Sequence, residues 1–256
     1  DLHRAIYRSN NTFFYDLGAR LGVDRVAAFA EQFGFGQDFT IDIPDAESGL
    51  LPTSAWKQAA RGEPWYPGDS VNLGIGQGDL LVTPLQLATA VSVIANRGRR
   101  VRPRMVLASD ADLPEFDVEP LPDVTLADPE HFERMVEAMA DVVHRGNKGY
   151  GQNDTAWAYI GMDIPYRMAG KSGTAQVVEI PQGFEYDDLE LEERQRKHAW
   201  FVAFAPVEAP RIAVAVLVEN GGGGSSVAAP VAREVVDAWL LPGEDGEAVV
   251  DQVASF

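Results

Sequence analysis

Apolar residues recur at helical spacing through the first half of the chain and give way to dense valine, alanine and aromatic runs in the last third. Residues 1 to 22 read as helical, with Phe13, Phe14, Leu17 and Leu21 on one side and Gly22 as the stop. Asp24 is placed to cap a second helix whose apolar face is Val26, Phe29, Ala30 and Phe33, ended by Gly34-Phe35-Gly36. Residues 40 to 80 are interrupted by Pro44, Gly49, Pro52, Pro64, Pro67, Gly68, Gly74, Gly76 and Gly78 and read as mostly irregular. Thr83-Pro84 then opens a strong helix, a capping hydroxyl followed by proline at the first helical position, with Leu85, Ala88, Val91, Ser92 and Ala95 at helical spacing and Gly98 as a left-handed stop. Val101 to Ala108 reads as extended, and the acidic, proline-bearing stretch 109 to 127 as a surface loop. Asp128-Pro129 repeats the cap-plus-proline start for a helix carrying Phe132, Met135, Val136, Met139 and Val143, ending near Gly146.

Three β-rich runs follow: Tyr166 to Ile180, Ala199 to Val207 and Arg211 to Glu219. Val207-Glu208-Ala209-Pro210 is short enough for a hairpin turn, so the last two strands are expected to be antiparallel. Gly221 to Gly224 reads as a flexible bend before a closing helix, Val227 to Leu241, with Val231, Val235, Ala238 and Trp239 as its apolar face. Helices first, then a sheet with a final helix, argue an α+β domain. The expected organisation is a helical and loop region over 1–150, a sheet with a closing helix over 160–241 and a frayed acidic tail over 242–256.

A chain of 256 residues, 46% hydrophobic and 23% charged, can bury a sizeable core. It has no apolar stretch near eighteen residues, and no signal peptide is read at its first residues. Cysteine is absent, which excludes disulfides, thiolate nucleophiles and cysteine metal sites. The net charge of -18 opposes nucleic-acid binding, and its spread along the chain argues solubility. His3, His131, His144 and His198 lack metal-ligand spacing, and no cofactor is called for. The acid-rich run Glu185 to Glu193 reads as a solvated loop.

Candidate chemistry centres on Lys171-Ser172-Gly173-Thr174 in the first β-rich run. A site for a peptide ending in a carboxylate needs a cation and hydroxyl donors; Lys171 supplies the first, Ser172 and Thr174 the second. Gly173 lets a substrate backbone lie close to the strand, and a strand N–H beside it can stabilise an oxyanion. By itself the tetrad is equally a plain strand with small residues. Gly170-Lys171-Ser172 matches the end of a phosphate loop, but Pro165 stands where that loop needs glycine. Gly74-Ile75-Gly76-Gln77-Gly78 has the wrong spacing for a dinucleotide loop and reads as a tight, close-packed turn. Ser9-Asn10-Asn11 forms a Ser-x-Asn triplet; alone it is an ordinary helix cap, but paired with Lys171 it becomes a proton-relay hydroxyl and a substrate-holding amide. Ser54-Ala55-Trp56-Lys57 is a Ser-x-x-Lys, the pattern of a serine nucleophile with its base. It follows the triplet rather than preceding it and falls in a proline-rich region, so it is read as a chance match.

The triplet and the tetrad are two of the three signatures of penicillin-recognising acyl-transfer enzymes. The chain resembles the penicillin-binding protein 2 family, class B peptidoglycan D,D-transpeptidases of rod-shaped Gram-negative bacteria. The resemblance rests on Ser9 to Tyr15, Phe33-Gly-Phe-Gly36, Ser48 to Pro52, Trp56-Lys-Gln58, Pro64 to Asp69, Gly74 to Gly78, Thr83 to Gln86, Ala169 to Val177, Ala203 to Pro206 and Glu219 to Gly222. It implies that Ser9 and Asn11 form the second motif, Asn11 standing where the family often has aspartate. It implies that Lys171, Ser172, Gly173 and Thr174 form the third, with the Thr174 N–H as one oxyanion donor. The first motif, bearing the nucleophile, is expected ahead of Ser9, so the chain is expected to be the C-terminal portion of a transpeptidase domain, inactive alone. The resemblance further implies peptidoglycan stem peptides as substrates and β-lactam antibiotics as inhibitors. It implies a glycan polymerase and elongation scaffold proteins as partners, and a place on the periplasmic face of the inner membrane through an N-terminal anchor. The alternative is a non-catalytic binding or assembly domain derived from such a protein; a serine β-lactamase or β-lactam sensor fits the Pro64–Asp69 and Gly74–Gly78 segments less well.

Overall fold

The structure is a computed structural model that describes residues 1–38, 40, 42–43, 45–105, 120–146, 155–178 and 192–242. By its internal contacts it divides into two compact units, Asp1–Ala5 with Asn10–Met135, and Ile6–Ser9 with Val136–Phe256. The expected acidic tail beyond Pro242, most of the acidic run before Glu193 and residues 106–119 of the expected strand and loop lie outside the described residues.

The expected first helix is two: α1 (Leu2–Tyr7) and α2 (Asn11–Leu21). Asn10 breaks the run, because its side-chain oxygen accepts the Phe13 N–H at 2.9 Å and so caps α2. α3 (Val23–Ala30) follows, but its N-cap is Gly22 and not Asp24. The Asp24 carboxylate instead accepts the backbone N–H and the hydroxyl of Ser54, at 2.9 and 2.7 Å. The buried residues of α3 are Val23 and Ala27, while Phe29 is exposed and meets Phe33 with tilted rings, centroids 5.3 Å apart.

Residues 40 to 80 are more ordered than their prolines suggest. They hold α4 (Ser54–Arg61), capped by the Thr53 hydroxyl, and α5 (Pro67–Gly74), whose Pro67 opens the helix where a missing N–H costs nothing. Lys57 of α4 is buried and donates to the Asp69 carboxylate of α5 at 2.5 Å, between the rings of Trp65 and Tyr66. α2 and α5 meet backbone to backbone at Gly18 and Gly74. A Cβ on Gly18 would stand 2.5 Å from the Ser70 carbonyl oxygen, and one on Gly74 2.4 Å from that of Phe14. Gly76 and Gly78 turn the chain after α5 with φ of 75° and 84°; a Cβ on Gly76 would meet nothing, so conformation and not close packing explains it.

α6 (Pro84–Ala95) has the expected cap, with Thr83 and Gln86 forming a capping box. Gln86 is buried and also donates to the carbonyls of Ser48 and Gln37, at 2.7 and 3.2 Å. Gly98 ends this helix at φ 102°, its N–H donating to the Val93 carbonyl. Val124 was expected on a surface loop but is buried with Val93 and Phe132, because its N–H bonds the Gly98 carbonyl. No strand forms over 101–105. α7 (Glu130–His144) belongs to the first unit up to Met135 and to the second from Val136.

In the second unit, β1 (Ala169–Ala175), β2 (His198–Ala205) and β3 (Ile212–Val218) form an antiparallel sheet in that order. The fold is α+β, as expected. β1 starts three residues later than Tyr166, whose hydroxyl donates to Asp237 at 2.5 Å. The closing helix α8 (Ala229–Leu240) is preceded by a π-helical turn, Gly224–Ala228. Its buried side is Ala229, Ala232 and Val236, one position round from the expected face, so Val231 and Val235 are exposed. Ala229, Ala232 and Val236 share the core with Phe201 and Ala203, so the face carrying the small alanines is the one turned to the sheet. Phe201, Ala203, Val142, Met168, Ala232 and Val236 belong to the unit's continuous core. Among the described residues no helix is long and apolar enough to cross a membrane.

Candidate functional site

Ser9 sits between α1 and α2 with φ 51°, the left-handed region that serine rarely occupies. Its N–H closes a turn onto the Ile6 carbonyl at 3.0 Å, ending α1. The chain has to leave the helix here because Asn10 must be non-helical to cap α2. Backbone strain of this kind concentrates at sites that hold a side chain for a purpose.

Lys171 lies inside β1 opposite Val202. Its ammonium donates to the Ser9 hydroxyl oxygen at 2.9 Å and to the Ser172 carbonyl at 2.7 Å. The first bond joins residues 162 apart in the chain. Burial withdraws water from the charge and lowers the Lys171 pKa from 10.5 to about 8. No carboxylate pairs with it among the described residues, so nothing offsets that desolvation. Ser9 accepts from Lys171 and keeps its own O–H to donate, the arrangement a proton relay requires.

Alternation along β1 puts the side chains of Ser172 and Thr174 on one face and Lys171 with Gly173 on the other. Ser172 and Gly173 are half-buried and Thr174 is exposed. The structure brings Ser9 to Lys171, and Ser172, Gly173 and Thr174 follow Lys171 along the same strand. Asn11 belongs to the first unit, where it is the exposed first residue of α2.

The Ser-x-x-Lys match at Ser54 does lie on a helix, contrary to the loop expected there, and its two side chains are already committed elsewhere. Ser54 donates to Asp24, and Lys57 is paired with Asp69. Burial works against ionisation of Asp69, but the bonds from Lys57 and the Tyr66 N–H, with the charges of Lys57 and Arg61, outweigh it and hold the carboxyl below its ordinary value. A lysine in such an ion pair does not take the serine proton. Among the described residues no group of three or more His, Cys, Asp or Glu is placed to hold a metal.

Sequence reasoning passed over the parts that hold β1. The His144 Nε2 accepts the Met168 N–H at 2.9 Å, which leaves the ring proton on Nδ1; desolvation and Arg167 lower its pKa. Tyr166, Asp237 and Arg233 form a chain of hydrogen bonds in which Arg233 also reaches the Ile160 carbonyl at 2.9 Å. Burial and the Asp237 carboxylate push the Tyr166 hydroxyl pKa up. Their partners lie far off in the chain, Asp237 71 residues from Tyr166 and Met168 24 from His144, so spacing alone does not connect them.

The model of the penicillin binding protein transpeptidase domain matches residues 1–237. The chain is 41% identical to the peptidoglycan D,D-transpeptidase MrdA of Acinetobacter baumannii over 94% of its length, and 38% identical to that of Haemophilus influenzae, again over 94%. It covers 34% and 36% of those two proteins, about a third of their length. Among solved structures it resembles Pseudomonas aeruginosa PBP2 in complex with WCK 5153, with 45% identity and a TM-score of 0.82 over 97% of this chain and 50% of that one. It also resembles the PBP2 of Helicobacter pylori in its complex with MreC, with 27% identity and a TM-score of 0.76 over 94% of this chain and 40% of that one. A domain model that matches residues 1–237, with relatives 38% and 41% identical over 94% of the chain and a fold shared with solved PBP2 structures, places the chain in the penicillin binding protein transpeptidase domain family.

Proposed function

We propose that this chain is the substrate-holding and proton-relaying part of a peptidoglycan D,D-transpeptidase. The observation that carries the reading is the 2.9 Å bond between Lys171 Nζ and Ser9 Oγ, with the Lys171 pKa brought to about 8. A lysine of that pKa remains mainly protonated at neutral pH, so it can meet a substrate carboxylate, yet gives up its proton at little cost through the Ser9 hydroxyl.

In the proposed reaction a serine hydroxyl attacks the carbonyl of the penultimate D-alanine of a stem peptide. Its proton passes through Ser9 to the leaving amine, and D-alanine departs. The acyl-enzyme is then opened by an amine of a neighbouring stem peptide, which forms the cross-link and restores the serine. Asn11 holds substrate backbone, Ser172 and Thr174 donate to the terminal carboxylate, Gly173 admits the peptide against the strand, and the Thr174 N–H faces the oxyanion. β-Lactams would enter as donor mimics.

The nucleophilic serine is assigned outside these 256 residues. Ser54 is the only serine followed at the third position by lysine, and it is engaged with Asp24. In this reading the whole chain is the C-terminal portion of the catalytic domain, with residues 1–150 contributing the second motif and 160–241 the third. The placement at the periplasmic face of the inner membrane, and partnership with scaffold proteins and a glycan polymerase, follow from the same reading. The Helicobacter pylori PBP2 complex with MreC and a peptidoglycan synthase complex that couples polymerization and crosslinking support it.

Intact-mass labelling with benzylpenicillin tests the assignment. The chain by itself is expected to take no adduct, and the same chain carrying the stretch encoded ahead of Asp1 is expected to take one. A stoichiometric adduct on the chain alone, mapped to Ser54, would overturn it, as would no adduct on either.

A further inference from the structure

Behind the third motif the chain makes a close approach between backbones. Gly224 is buried, and a Cβ placed on it would lie 2.3 Å from the Trp200 carbonyl oxygen, 2.4 Å from that of Gly173 and 3.0 Å from the Gly173 nitrogen. Gly173 and Trp200 are cross-strand partners of β1 and β2. Gly224 therefore lies flat against the one rung of the sheet that carries the glycine of the third motif. Its φ is not in the left-handed region, so space and not conformation demands glycine here. All three clashing atoms are backbone, which cannot turn aside as a flexible side chain can.

The bend that delivers Gly224 is tied down, not loose as its four glycines suggest. Asn220 stands at φ 54°; its N–H donates to His198 Nδ1 and its side-chain amide to the Arg196 carbonyl, both at 2.9 Å. The Gly222 N–H donates to the Lys197 carbonyl at 2.9 Å and the Val227 N–H to the Gly223 carbonyl at 3.0 Å. These bonds anchor the bend to the residues that open β2 and to the first turn of the π helix. We propose that the Asn220–Gly224 bend is a backbone stop for the third motif, and that Gly224 is a positioning residue that fixes the height of Gly173 and so aims the Thr174 N–H. The inference rests on the transpeptidase reading for its catalytic consequence, though not for its structural one.

Gly224→Ala must push Gly173 and Trp200 away from the bend. A displacement approaching 1 Å at an oxyanion donor lowers an acylation rate by about 10- to 100-fold. Gly223→Ala is the control, because its Cβ would approach only the Ser226 hydroxyl and side chain, which can rotate. Asn220→Gly is the second variant: glycine accepts the same φ, so the turn survives, while the tie to Arg196 is lost.

Two measurements separate this proposal from the functional reading. On this chain, amide shifts and hydrogen exchange of Ser172, Gly173 and Thr174 are expected to change in Gly224→Ala, to exchange faster in Asn220→Gly and to stay as they are in Gly223→Ala. On the chain extended by its preceding stretch, the limiting rate of benzylpenicillin acylation is expected to fall about 10- to 100-fold in Gly224→Ala, with little change in the half-saturating concentration. If the parent extended chain does not acylate, the transpeptidase reading fails and the amide data still decide the stop. If Gly224→Ala does not fold, Asn220→Gly decides. Unchanged third-motif amides in either folded variant, or an equal response to Gly223→Ala, overturns the proposal.

Discussion

Gly18→Ala and Gly68→Ala are the same substitution in two helices of one unit, and they are expected to have opposite signs. In a helix interior, alanine is worth up to ~1 kcal/mol over glycine from conformational entropy alone. At Gly68, on the first turn of α5, a Cβ meets nothing within 4 Å, so that gain should appear nearly undiminished, at about 0.5–1 kcal/mol. At Gly18 the added Cβ would stand 2.5 Å from the Ser70 carbonyl oxygen, 2.9 Å from Gly74 Cα and 3.2 Å from Gly74 N, where ordinary contact begins near 3.4 Å. The first of these must open by nearly 1 Å, and since all are backbone atoms of α5, the two helices have to separate. Overpacking of that kind costs roughly 1–3 kcal/mol, and contacts along the seam are lost with it. The propensity gain is the smaller term, so Gly18→Ala should destabilise by about 1–2 kcal/mol. α2 opens at Asn11, so the same separation displaces that amide relative to α5. Urea titration with a common slope, read as midpoint shifts, provides the assay. A Gly18→Ala protein as stable as the parent, or both variants moving the same way, would refute the reasoning.

Two further outcomes follow from charged groups inside the units. Lys57→Ala strands the Asp69 carboxylate in a partly covered site and should lower stability by about 1–3 kcal/mol, less than for a fully buried pair because the Asp69 side chain is 28% exposed. The Asp69 pKa is held below its ordinary 3.8, so its contribution is present above that value and is lost as pH falls through the folded one; acid titrations should show that loss in the parent and a smaller one in Lys57→Ala. His144 has the opposite linkage. Desolvation first, then Arg167, lowers its pKa, and the Met168 N–H occupies the lone pair of the neutral ring, while Asp141 and Glu208 favour the charged form. The unfolded chain therefore binds a proton that the folded one refuses, and stability falls as pH drops below 6.5 until the folded value is reached. His144→Gln should flatten that slope between pH 7 and 5; an unchanged slope would show that His144 does not titrate with folding.

The helices with clear caps were legible from the sequence because their signals are local. Thr83-Pro84 marks the start of α6 by itself, and the structure adds Gln86 as the other half of the capping box. α4 and α5 were hidden because prolines and glycines between positions 52 and 68 mark breaks without saying how much helix fits between them. Asp24 looked like a cap, and only the fold reveals that Ser54, thirty residues away, takes its oxygens. The inward face of α8 is hidden for a similar reason: Val231 and Val235 make an apolar stripe as regular as that of Ala232 and Val236, and only packing against the core selects the second. The candidate site was readable as motif chemistry at Ser9 and Lys171, but their contact spans 162 positions and the Lys171 desolvation depends on everything packed around it. Gly224 carried no signal beyond its place in a glycine run; its meaning is the distance to Gly173.

The central claim is that Ser9 and Lys171 act together in penicillin-type acyl transfer. The measurement that tests it most directly is the acylation rate with a fluorescent penicillin, in the chain extended by its preceding stretch, for the parent, Ser9→Ala, Lys171→Ala and the double variant. Loss of a positioned proton relay predicts rates lower by about 10²–10⁴-fold in each single variant, and little further loss in the double variant, because the two groups form one unit. Single variants that acylate at parental rates, or losses that multiply in the double variant, would contradict the account.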